Sequence, residues 1–195
     1  MTKILMAVPL ATSYIRTDCV QSFYNMRIPE NIELKIEFIN GYSAARARNL
    51  ACCIAIDEGF DEILFVDSDQ IIPPDTLEKL LVMNTSIQAG WSMMNVADQR
   101  TNISVYDPTR MFYDFILHKD LPEGIIEVDA IGFAAILIKT DILKKIQYPY
   151  FRYVEYPNRT TLSEDLYFCD MARRNGIRIF CDTSLRILHS KTINI

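Results

Sequence analysis

A chain of 195 residues, half of them apolar, is long enough to bury one sizeable core and reads as a single domain. A formal net charge of −5 excludes the broad basic footprint of a nucleic-acid coat and leaves room only for a small local site for a nucleotide or a base. No apolar run approaches the roughly 20 residues of a membrane span; MTKILMAVPL leads into polar Thr12, Ser13 and Arg16 with no small-residue cleavage site, and five cysteines without a CxxC pair point to a reducing cytoplasm.

KILMAVPL is the first expected strand, and a helix follows over about residues 17–26. IELKIEFIN alternates, which puts Leu34, Ile36 and Phe38 on one face of a second strand that stops at Asn40-Gly41. Ser43 is placed to cap the helix AARARNLACCIAIDEG, in which Ala47, Leu50, Ala51 and Ile54 form one stripe and Gly59 supplies the stop. ILFVDSD is a third strand, with the unbroken Ile, Leu, Phe and Val of a strand buried on both faces. Pro73-Pro74 breaks the chain before a short helix DTLEKLLVMN, and SIQAGWSMM gives a fourth strand. This alternation predicts a parallel sheet with crossover helices.

Over residues 95–124 the pattern dissolves into a polar and aromatic stretch, with room for an antiparallel pair. VDAIGFAAILIK reads as one more apolar strand interrupted by Gly132, passing into a helix TDILKKI capped by Thr140. After the loop YPYFRYVEYPNRT, SEDLYFCDMARRNG has helical spacing and an Asn-Gly stop. IRIFCD is a short strand, and LRILHSKTINI closes the chain.

Asp67 and Asp69 end a run too apolar to hold two like charges uncompensated. Aspartates at strand ends also cap backbone amides, and that reading stays open. A calcium loop counted from Asp67 fails, because Ile71 and Ile72 stand where it needs an oxygen ligand and a glycine. A hard cation held by one or two carboxylates and by substrate phosphate oxygens fits better, since ligands of open α/β sheets bind beyond the carboxyl ends of the strands.

Taken in order, the first strand, the ARN-bearing helix, ILFVDSD, the Gly-containing VDAIGFAAILIK and SEDLYFCDMARRNG resemble the GT-A-fold nucleotide-sugar glycosyltransferases, particularly the small family-2-like members, over residues 3–190. The resemblance implies a Rossmann-like α/β fold whose mixed, mainly parallel sheet is flanked by helices. It implies one catalytic domain over 1–195, with a nucleotide-sugar-binding half over 1–94 and an acceptor-facing half over 95–195. The implied activity is metal-dependent, hexosyltransferase-like transfer of a sugar from a nucleotide-diphosphate sugar to an acceptor. Mn²⁺ or Mg²⁺ is then held by Asp67, Asp69 and His189, with Lys191 in reach of a phosphate. Pro9 and Ser13 fall beside the nucleobase, Arg48 and Asp67 beside the diphosphate, and Asp129 and Gly132 where the donor sugar approaches the backbone. Asp165 is the base for the acceptor hydroxyl in an inverting enzyme, and Glu164 is its orienting partner.

The residues by themselves keep plainer alternatives. Thr161 to Glu164 matches a capping box, Arg46, Arg48 and Asn49 fall outside the apolar stripe as a solvated helix face would, and a lone histidine such as His189 is commonly a surface residue. Asn40-Gly41 stands where relatives carry an acid, which leaves the base open. Trp91, Tyr106, Tyr113 and Tyr153 offer rings for stacking sugars, or for the core. A nucleotidyltransferase of similar fold is one rival, although the chain lacks a Gly-rich phosphate loop after its first strand; a non-catalytic nucleotide- or sugar-binding module is another.

Overall fold

A computed structural model describes residues 1–156 and 161–190. The elements run β1 (Thr2–Leu10), α1 (Thr17–Tyr24), β2 (Ile32–Asn40), α2 (Ala44–Asp57), β3 (Glu62–Val66), β4 (Gln70–Ile71), α3 (Thr76–Met83) and β5 (Ile87–Asn95). They continue with β6 (Arg100–Asp107), β7 (Phe112–Leu117), β8 (Ile125–Val128), β9 (Ala130–Ile131), β10 (Ala135–Lys139), β11 (Val154–Glu155), β12 (Thr161–Leu162), α4 (Glu164–Arg174) and β13 (Ile179–His189). Among the described residues no helix is long and apolar enough to cross a membrane.

The central sheet has the order β2-β1-β3-β10-β5-β13-β4. β1 is parallel to β2 and β3, and β13 is parallel to β5, while β10 is antiparallel to both β3 and β5. With β10 reversed between them, β3 and β5 point the same way. The sheet is therefore mixed and mainly parallel, flanked by helices, as expected.

Alternate residues of the central strands feed two cores, because successive side chains point to opposite faces. Leu5, Ala7, Ile63, Phe65 and Ile136 join Ala47 and Ala51 of α2 and Phe168 of α4. On the other face Ile4, Met6, Val8, Leu64 and Val66 pack with Phe23 of α1 and with Leu77 and Leu80 of α3. An aromatic cluster anchors the first core. Phe151 stacks on Phe168 with ring centroids 4.9 Å apart, and Phe133 meets both edge-on at 5.3 and 5.6 Å. Gly59 and Gly176 stop α2 and α4 with φ of +72° and +69°, a left-handed backbone that a residue with a Cβ adopts only under strain.

Residues 95–124 hold the antiparallel pair for which the sequence left room, β6 against β7, and it continues from β5 through Met93 opposite Thr101. Other expectations change. VDAIGFAAILIK is not one strand. It breaks into the end of β8, β9 and β10, because at Gly132 the backbone turns to donate its N–H to the Asn102 carbonyl at 2.8 Å. TDILKKI forms a 3₁₀ turn over Thr140–Lys144, and Thr140 does not cap it: Lys139 holds the cap position and the buried Thr140 hydroxyl has no hydrogen-bond partner among the described residues. IRIFCD and LRILH are one strand, β13, whose register against β5 shifts between Cys181 and Arg186.

The aromatic cluster gives a first prediction. Phe168 is fully buried, so Phe168→Ala should lower the unfolding free energy by about 3–5 kcal/mol, read as a shifted urea midpoint with an unchanged slope.

Candidate active site

Val66, the last residue of β3, lies opposite Ala135, the first of β10, so the chain leaves one strand and joins the other at the same edge of the sheet. β13 ends there too, with His189 opposite Gln70. A cleft of about 230 Å³ opens at this edge, lined among others by Asp67, Asp69, Gly132, Asp165 and His189.

Arg48 lies beneath the cleft. The buried face of α2 is Ala45, Ala47, Arg48, Asn49, Ala51, Cys52 and Ala55, while Leu50 of the expected stripe is exposed. Arg48 is therefore not on a solvated face. It is 3% exposed, and its Nη2 donates to Asp67 Oδ1 at 2.7 Å while Nη1 donates to Glu164 Oε1. Its guanidinium also sits 5.0 Å from the Phe133 ring centroid. Burial alone would lower its pKa, but the charges of Asp67, Asp165 and Glu164 outweigh that and hold it above the ordinary arginine value. Committed to two carboxylates, Arg48 is not the free diphosphate neighbour expected from the sequence. Asn49 beside it is also committed, donating to the carbonyls of Ala45 and Phe151 and accepting from the Tyr150 N–H.

The Asp67 carboxyl is pushed up to about 6 by burial, and further by Asp69 and Asp165, with Arg48 pulling the other way. Its side chain keeps 33% of its surface accessible, but that surface opens onto the narrow cleft rather than bulk water, so desolvation still dominates. Burial would also raise Asp69, yet hydrogen bonds from His189 and Gln70 hold it below the usual carboxylate range. His189 Nε2 lies 2.5 Å from Asp69 Oδ2, and Gln70 Nε2 donates to Oδ1 at 2.9 Å.

Asp165 stands in the first turn of α4. Its Oδ1 accepts from the Ser163 hydroxyl and, at 2.8 Å, from the Leu166 N–H. Its Oδ2 faces Gly132, where a Cβ would lie 3.4 Å from that oxygen and 3.2 Å from Asn102 Cβ. Asn102 went unnoticed in the unassigned stretch. Its Nδ2 donates to the Gly132 carbonyl at 2.8 Å and its Oδ1 accepts from the Ser92 N–H at 2.8 Å, so it ties the broken strand to β5.

Glu164 does not act on Asp165 through a hydrogen bond of its own among the described residues. It is buried, turned to Arg48, and it helps to push the Tyr153 hydroxyl up to about 12, although burial is the larger cause. The expected capping box is absent as well: Ser163 occupies the cap position and gives its hydroxyl to Asp165. Pro9 is buried at the end of β1, opposite Ile39, and Ser13 is exposed beyond it; neither lines the cleft. Asp129 also lies outside it, its Oδ2 accepting from the Tyr106 N–H at 2.9 Å. Trp91 is core, donating to the Thr183 carbonyl at 2.8 Å and stacked on His118. Lys191 lies outside the described residues.

Among the described residues no group of three or more His, Cys, Asp or Glu is arranged to hold a metal ion. The donor set nevertheless suits one kind of metal. Asp67, Asp69 and Asp165 present hard oxygens to one cleft, and the nearest buried cation, Arg48, is shared with a further acid. That surplus of negative charge fits a divalent cation completed by substrate oxygens, not an all-protein cage.

No protein-family model matches the chain, and no curated protein matches it. Solved structures do. A197 from STIV is 21% identical, aligned over 97% of this chain and 85% of that one with a TM-score of 0.62. TarS 1–349 from S. aureus, in complex with UDP-GlcNAc, is 17% identical over 100% of this chain, with a TM-score of 0.62. The fold is GT-A-like. A further S. aureus TarS structure, also 17% identical, aligns over 98% of this chain with a TM-score of 0.60; the chain spans 60% of the first TarS chain and 37% of the second.

Two outcomes follow from Arg48. Arg48→Met leaves Glu164 and Asp67 without their buried cation and should cost about 3–5 kcal/mol in a urea melt, whereas Arg48→Met with Glu164→Met should recover part of that loss. The second concerns pH in the presence of a chelator. Asp67 is protonated in both states below its ordinary value of 3.8 and titrates at about 6 when folded, so its contribution to stability is full at low pH and lost as pH rises through that window. Asp67→Asn lacks this loss, and its stability relative to the parent should rise between those two pH values, as read by thermal melts.

Proposed function

We propose that the protein is a metal-dependent glycosyltransferase that moves a sugar from a nucleotide-diphosphate sugar to an acceptor hydroxyl. The observation that carries this reading is the convergence of Asp67, Asp69 and Asp165 on one cleft at the carboxyl edge of a GT-A-like sheet. A nucleotide-sugar donor is further supported by the fold likeness to TarS, solved with UDP-GlcNAc.

Asp67 and Asp69 are the residues that would hold Mn²⁺ or Mg²⁺. When bound, the ion supplies charge neutralisation for the departing diphosphate. Arg48 fixes Asp67 from below, and His189 orients Asp69 through its Nε2. The glycine at 132 leaves the wall beside Asp165 without a side chain, which gives the donor sugar its closest approach to the backbone.

Asp165 takes the proton of the acceptor hydroxyl on Oδ2 while Ser163 and the Leu166 N–H steady Oδ1. The acceptor oxygen then bonds to the anomeric carbon, and the bond from that carbon to the diphosphate oxygen breaks. Such general-base help is worth about 10²- to 10⁴-fold in rate. Residues 1–94 supply the metal-binding acids in this scheme, and the base comes from the later half. Between β1 and α1 the chain carries ATSYIR, without the glycines of a phosphate loop, which disfavours a nucleotidyltransferase.

Melting the protein with a panel of nucleoside diphosphates, each with and without Mn²⁺, tests the reading. The matching nucleotide at 100 times its Kd should stabilise by about 2.7 kcal/mol, and Asp69→Asn should remove the metal dependence. Asp165→Asn should keep the nucleotide response but transfer labelled sugar about 10²- to 10⁴-fold more slowly. Absence of any metal-dependent response across the panel overturns the proposal.

A further inference from the structure

The cleft does not end at Asp165. A second cavity of about 600 Å³ adjoins it, between the β6–β7 arm and the start of α4, and Phe115, Ser163 and Leu166 line both. Its size lies within the roughly 300–1,000 Å³ of small-molecule sites. Asp165, hydrogen-bonded to Ser163, thus stands at the junction of the two volumes.

The cavity's chemistry is lopsided. Six of its walls are aromatic: Tyr106, Phe112, Tyr113, Phe115, Tyr153 and Tyr156. Its charged groups are already committed. Asp170 accepts from the Tyr113 hydroxyl at 2.9 Å and from Arg173 at 2.8 Å, and it pairs with Arg174 at 2.7 Å. Arg110 is paired with Asp107 and Asp114. Carbon faces the cavity over most of its wall, so an apolar body buries area along its whole length there, whereas a sugar chain gains such contact only from its ring faces, stacked on the same tyrosines.

We infer that this cavity is the acceptor subsite and that the acceptor presents one hydroxyl at the end of an apolar body, with the hydroxyl at Asp165 and the body among the aromatic walls. This rests on the glycosyltransferase reading, in which that hydroxyl loses its proton to Asp165 as its oxygen bonds to the anomeric carbon and the diphosphate leaves.

Direct titration of the full chain with 2-naphthol, with 1-octanol and with methyl glucoside tests it, beside the nucleotide and Mn²⁺ melts. Both apolar alcohols should bind at least about tenfold tighter than methyl glucoside. Tighter binding of naphthol than of octanol assigns an aryl body, and the reverse order an alkyl one. Phe112 and Tyr156 are 43% and 42% exposed, so their replacement should leave folding and the nucleotide response intact. Phe112→Asp and Tyr156→Ala should each weaken the better alcohol, Phe112→Asp by about tenfold or more. A nucleotide response accompanied by alcohols that bind no better than methyl glucoside, or that ignore both substitutions, overturns the acceptor class alone. Alcohol binding that depends on Phe112 without any nucleotide response overturns the transferase reading and the acceptor role together.

Discussion

One buried cation holds the site together. Arg48 joins three pieces of chain that are distant in sequence: α2 that carries it, the end of β3 through Asp67, and the first turn of α4 through Glu164. Two carboxylates without that guanidinium, or the guanidinium without them, would each leave uncompensated charge in a desolvated place. The stronger consequence is directional. Successive residues on a helix point about 100° apart, so drawing Glu164 down onto Arg48 leaves Asp165 facing Gly132 and the cleft. An ion pair out of reach of any substrate in this way sets the aim of the carboxylate that can reach one.

The same pair explains the charge state of the cleft. Arg48 is divided between an acid that opens on the cleft and an acid that does not, so its charge is spent before Asp69 and Asp165 are counted. Asp67, raised first by burial and further by Asp69 and Asp165, ionises reluctantly, whereas Asp69, supported by His189 and Gln70, ionises readily. Two neighbouring acids, one residue apart, are driven in opposite directions by what surrounds them.

Much of the scaffold was legible, and the reasons are physical. Unbroken apolar runs marked β1 and β3, the D-x-D marked where β3 ends, and Ser43 and Gly59 marked the limits of α2. The use of Arg48 was hidden because α2 meets the sheet with alanines. Small side chains give a weak stripe, exposed Leu50 drew the expected stripe round the helix, and an arginine beside it looked solvated. Asn102 lay in a stretch without periodicity, because β6 pairs with β5, β7 and β9 and buries the successive residues Thr101, Asn102, Ile103 and Ser104, which leaves no alternation to read. Asp129 sits next to a strand break that the run VDAIGFAAILIK conceals, and there it serves the backbone of β6. His189 and Asp69 are 120 positions apart, and only the length of β13 brings them together.

That length has a spacer built into it. Between Cys181 and Arg186 the ladder with β5 slips, and beyond the slip β13 resumes pairing until His189 stands opposite Gln70. Side chains along a strand change face at every step. One residue fewer in that irregular stretch would draw the end of β13 back by a single pleat, turn the imidazole away from Asp69 and offer Ser190 in its place. The bulge thus acts as a vernier, converting the count of residues after α4 into the choice of which side chain meets the acid.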